Sequence, residues 1–150
     1  MAQNLNQFKQ TAERGQIALL CANSPVISAV VDSTEAGTLK AGDAVKLVST
    51  STGIPHVAKV GNSDTSFLGF VVFNPVKNDG IAAGDMIEIA ITGAFMYMIA
   101  SASIQAGASL DYAYATGKVA TANSGLACGV ALDAAAADGD LIRVAVKAAI

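Results

Sequence analysis

From Gly15 onward the chain is a succession of short apolar runs, each closed off by Gly, Pro, Asn, Asp or Ser. The clearest alternation is MIEIAIT, where Ile87, Ile89 and Ile91 point one way and Glu88, Ala90 and Thr92 the other. LIRVAVK repeats the pattern with Arg143 and Lys147 outward. Runs of this length and period read as strands. They are expected over Ile17–Cys21, Val26–Val31, Ala44–Ser49, Pro55–Val60, Phe67–Phe73, Met86–Thr92, Phe95–Ile99, Ser109–Tyr112, Lys118–Thr121, Leu126–Leu132 and Leu141–Lys147. No long stretch carries a helical period. DAAAAD is either one helical turn or a loop crossing a barrel end, since four alanines cannot nucleate a helix alone. The fold class expected is all-β, a small β-barrel or sandwich with a pseudo-repeated strand-turn pattern.

The strand pattern is stated twice. Gly69 aligns with Gly129, and Gly84-Asp85 with Gly139-Asp140. Ile87, Ile89 and Ile91 then fall on Ile142, Val144 and Val146, with Glu88 on Arg143. Further back, TLKAGDAVKL (Thr38 to Leu47) matches SIQAGASLDY (Ser103 to Tyr112), and Gly53 matches Gly117. The repeat covers residues 38–91 and 103–146. Its recurring Ala-Gly-Asp element is turn chemistry: Gly takes a positive φ and Asp bonds neighbouring amides before the strand begins. Residues 1–16 are polar and rich in Gln and Asn, and form an N-terminal arm, extended or with a short helix around Gln7–Arg14. Residues 17–150 are expected to form a single β domain.

Composition narrows the function. Of 150 residues, 53% are hydrophobic, enough for a core, and only 14% are charged, well below the usual ~25%. A neutral, small-sided surface suits an assembly component. A net charge of −3 with scattered basic residues argues against nucleic acid as a partner. Ile17 to Val31 is broken by Asn23, Ser24 and Pro25 and is too short to span a bilayer, so neither a membrane nor a signal peptide is expected. Cys21 and Cys128 lie far apart in apolar runs and read as buried free thiols, with a pairing left open.

Candidate chemistry is sparse. The lone histidine, His56, has no nucleophile motif near it, and a Cys21 or Cys128 partnership depends on the fold. One His and two isolated Cys build no zinc site, and Asp133, Asp138 and Asp140 lack the spacing of a calcium loop. No cofactor and no catalytic residue are expected. FMYMI (Phe95 to Ile99) is apolar on both faces, with Met96 and Met98 on one, and is either core or an interface.

Four segments carry a resemblance: EIAITGAF (Glu88–Phe95), SIQAGASLDY (Ser103–Tyr112), TGKVAT (Thr116–Thr121) and LACGVALDAAAADGDLIRVAV (Leu126–Val146). Their order resembles the cement, or decoration, proteins of tailed-phage heads over roughly residues 35–147. The resemblance implies a structural role on the outer surface of the virion capsid, clamping neighbouring major capsid protein subunits. It implies a homo-oligomer, trimer favoured over dimer. The contact residues expected on this reading are Asn4, Leu5, Phe8, Lys9 and Arg14 of the arm and Met96 and Met98 of FMYMI. The alternative is a non-enzymatic ligand- or glycan-binding β module, such as a head-fibre or receptor-binding piece.

Overall fold

The computed structural model describes residues 12–18, 24–50 and 53–149. They form ten strands and, among the described residues, no helix. The strands are β1 (Val26–Val31), β2 (Ala44–Ser49), β3 (His56–Lys59), β4 (Gly69–Val71), β5 (Met86–Ala90), β6 (Phe95–Ile99), β7 (Ser109–Ala113), β8 (Lys118–Thr121), β9 (Leu126–Ala131) and β10 (Leu141–Val146). All ten fall where the alternation predicts them. Of the eleventh, Ile17–Cys21, only Ile17 and Ala18 are described; Ile17 bridges Met96, and residues 19–23 lie outside the described residues. DAAAAD is a loop, pinned where Ala135 bridges Ile104.

The strands form two sheets of five with one topology. The first is a closed barrel in the order β1-β3-β2-β4-β5, completed by the antiparallel pairing of β1 with β5. The second runs β6-β10-β9-β7-β8. A parallel bridge, Ala100 to Val119, brings β6 to β8, so its ring order is that of the first sheet.

The duplication holds residue by residue. Phe70 pairs with Ala90 and Val71 with Ile89; Val130 pairs with Ala145 and Ala131 with Val144. Leu39 bridges Ile81 as Ile104 bridges Ala135. The repeat also extends further back than the sequence shows. The Gly84 N–H donates to the Val31 carbonyl at 2.8 Å, and the Gly139 N–H to that of Ala100 at 2.9 Å, so β1 and β6 are equivalent strands. The Gly-Asp turns behave as their chemistry requires. Gly42, Gly84 and Gly139 sit at φ 82, 90 and 94°. The Asp43 carboxylate accepts the Lys40 N–H, that of Asp85 the Ala82 N–H, and that of Asp140 the Ala137 N–H.

Two apolar clusters follow from this. One fills the barrel with Val31, Val45, Val57, Ile87 and Ile89. The other fills the second sheet and reaches across to Ala44, Phe67, Phe70 and Ala90, so the two sheets share a core. Phe70 stands between Phe67 and Tyr112 at ring distances of 4.8 and 5.8 Å. Met96 and Met98 are both fully buried in this cluster. This corrects their expected role as contact residues: the period of two turns both inward, where burial of each contributes about 1.5–3 kcal/mol to the fold.

Candidate functional site

The arm residues Asn4, Leu5, Phe8 and Lys9 lie outside the described residues. Arg14 is described, and its side chain is turned into the fold. Its guanidinium donates to the carbonyls of Ala41 at 2.7 Å and Gly42 at 2.8 Å and to the Asp43 carboxylate at 3.1 Å. Its side chain is 14% exposed and that of Asp43 1%. A methyl group on Gly117, in the β7–β8 turn of the other sheet, would lie 2.7 Å from Arg14 Nη2 and 3.5 Å from the Tyr112 hydroxyl. Arg14 therefore ties the start of the chain to both sheets. Burial, helped by the nearby Asp43 carboxylate, pushes the Tyr112 phenol above its ordinary pKa. Local sequence carries no signal for this cluster, because its members are brought together only by the tertiary fold.

His56 and Cys128 are held in different sheets. Cys128 is buried in the second sheet, with its thiol 3.5 Å from the Leu110 carbonyl and its pKa pushed up by burial. His56 is in the barrel, with Nδ1 3.4 Å from the Asp32 carboxylate. The Thr34 hydroxyl and N–H donate to Asp32 and hold its carboxyl below the ordinary range. Cys21 lies outside the described residues. The three acidic residues weighed for a cation have separate partners: Asp133 binds Arg143, Asp138 binds Lys118, and Asp140 takes the Ala136 and Ala137 amides.

The surface that distinguishes the two sheets lies on the barrel. Fifteen positions separate Gly69 from Gly84, but ten separate Gly129 from Gly139. The longer loop stands over the outer face of β1 and β5 and encloses a groove of about 490 Å³, lined by Ser28, Phe73, Asn74, Lys77, Met86 and Glu88 among others. Val76 at its tip is 92% exposed and Met86 68%. On the β2–β3 hairpin a register shift between Leu47 and Ser49 leaves Leu47 and Val48 both exposed, with Ile54 beyond. A bulge redirects side chains in this way. The unequal loop length is visible in the sequence and marks this surface; the bulge is not.

The backbone differs too. In β6 the Tyr97 carbonyl accepts the Gly15 N–H, the Tyr97 N–H donates to Gln16, and the Phe95 carbonyl accepts the Ala18 N–H, each at 2.8 Å. The chain's own residues 15–18 thus cover that strand edge. The equivalents of Phe95 and Tyr97 in β1 are Val26 and Ser28. Pro25 and Val31 bond the β5 side, so Val26 and Ser28 direct their backbone groups the other way. β3 reaches that edge only from Val30 onward, where the Val30 N–H donates to Pro55 and the Asp32 N–H to Val57. Among the described residues nothing pairs with the edge at Val26 and Ser28.

Comparison with known proteins places the chain among the structural proteins of phage particles. A family model described as structural cement protein (E217 gp24/Pam3 gp6) matches residues 1–147, and the chain belongs to that family. Its fold is similar to the head fiber gp8.5 N base of bacteriophage phi29, with a TM-score of 0.54 and 15% identity, over 81% of this chain and 94% of that one. No curated protein matches the chain.

Proposed function

We propose that the protein binds the outer surface of a phage head and clamps neighbouring major capsid protein subunits, stabilising the mature shell. It acts as a homo-oligomer, a trimer in preference to a dimer, without catalytic activity, cofactor, nucleic acid or membrane. The observation that carries this reading is the barrel surface just described, where Leu47, Val48, Val76 and Met86 are exposed. Weak apolar contacts repeated over a symmetric lattice give high avidity without any tight single site. The arm residues Asn4, Leu5, Phe8 and Lys9 remain part of the proposed contact.

The test is co-sedimentation of the purified protein with expanded heads that lack it, with unexpanded heads as control. Saturable binding at a fixed ratio to the major capsid protein, preferring expanded heads, is expected. Absence of binding to both would overturn the proposal. The groove favours a second reading, a ligand- or glycan-binding module, for which Phe73 supplies the aromatic wall. Glycan binding by protein that ignores heads would support that reading.

A further inference from the structure

We infer that the open edge of β1 at Val26–Ser28 is a strand-addition site for an extended segment of the major capsid protein. The inference rests on the head-binding reading and names its point of attachment.

The internal duplication supplies the template. At the equivalent edge of β6 an antiparallel segment, Gly15–Ala18, satisfies the backbone of Phe95 and Tyr97, and Ile17 stands opposite Met96 and packs on the core. β1 presents the same geometry, with Ile27 in the place of Met96. An unpaired strand edge is a ready template for another chain. Here it is flanked by exposed apolar side chains, Val26 at 37% and Ile54 at 38%. The groove begins at Ser28, so a segment laid along the edge has a wall beside it.

The occupant's chemistry follows from its surroundings. It is antiparallel to β1, with one aliphatic residue opposite Ile27, in the place that Ile17 takes opposite Met96. Glu88 is exposed directly across from Ser28 and makes no ion pair among the described residues, which favours a Lys or Arg on the outward side. The source is another protein. Residues 15–18 of every copy are already paired with that copy's β6. The edge of a second copy's sheet is a poor fit, because Pro25 ends the row of donors and β3 takes over at Val30.

The experiment begins with the full chain on heads. A Ser28→Cys variant in a Cys21→Ser background is labelled with a benzophenone, bound to heads, irradiated and mapped by mass spectrometry. A crosslink to one segment of the major capsid protein is expected. A crosslink to a second copy or to the same chain, or no crosslink while the labelled protein sediments with heads, overturns the inference and leaves head binding intact. Failure of the unmodified protein to bind heads removes both. Independently, Ser28→Pro deletes a donor that serves no bond among the described residues. Head affinity is expected to fall by about tenfold, the effect of losing one or two hydrogen bonds, with the melting temperature of the free protein unchanged. Unchanged affinity overturns the inference.

Discussion

Gly69 and Gly129 occupy the same point of their sheets, each pressed against a carbonyl oxygen of the next strand, that of Ala90 and of Ala145. A methyl group at either would overlap that oxygen, and the obstacle is backbone, which cannot swing aside. The two glycines are the anchors on which the duplicated sequence aligns. Their recurrence has a steric cause: β4 and β9 approach β5 and β10 too closely for a side chain.

Gly69→Ala and Gly129→Ala should each destabilise the free protein by roughly 1–3 kcal/mol, the usual cost of overpacking. Chemical denaturation of the two variants measures this. Midpoints equal to that of the parent would show that the strands can separate without loss.

Arg14→Ala should lower the stability of the free protein, by about 3 kcal/mol, because it leaves the Asp43 carboxylate in a buried site with Lys59 as its remaining charged partner, at 3.3 Å. Arg14→Lys should recover little of the loss, since an ammonium cannot serve two carbonyls and a carboxylate with a planar fork. Thermal melting in the absence of heads is the decisive measurement. An unchanged melt combined with weaker head binding would restore Arg14 to the contact surface.

Acid should weaken the fold through its turn carboxylates. Hydrogen bonds from Arg143 hold the Asp133 carboxyl below its ordinary value of 3.8, those from Lys46 do so for Asp64, and those from Lys77 for Asp85. A lowered folded pKa contributes stability that is fully present above the unfolded value and is lost as pH falls through the folded one. Melting temperature should therefore be insensitive to these groups near neutrality and fall below about pH 4. Asp133→Asn should flatten that acid limb. A melt that holds to pH 2 in the parent would contradict the account.

Cys128 should react with a thiol reagent only when the protein unfolds, since the side chain is fully buried and its pKa raised. In a Cys21→Ser background the labelling rate in denaturant should follow global unfolding. Rapid labelling under native conditions would mean that the second sheet opens locally.

The strand positions were legible because alternation and turn residues are local properties. The duplication was legible only where chemistry constrains it, at the tight glycines and the Gly-Asp turns. It was invisible at β1 and β6, because VISAVV and FMYMI need share only an apolar inner face: Ile27 and Ala29 in one, Met96 and Met98 in the other. FMYMI looked apolar on both faces, and period alone could not say which face is core. Arg14 read as part of a polar arm, since nothing near it in sequence announces Asp43 or Gly117. The edge at Ser28, unpaired among the described residues, was out of reach for the same reason: it is defined by what pairs with the other half of the molecule.

Residues 15–18 are synthesised before the barrel strands, yet their hydrogen-bonding partners in β6 come some eighty positions later. During translation the barrel can close on its own pairings as soon as β5 has emerged. The leading segment has to wait, unsatisfied, until the second half of the chain arrives. Completion of the molecule is therefore a late, long-range event that threads its beginning into its middle. Any tag or fusion placed ahead of Gly15 rides on the last piece to lock.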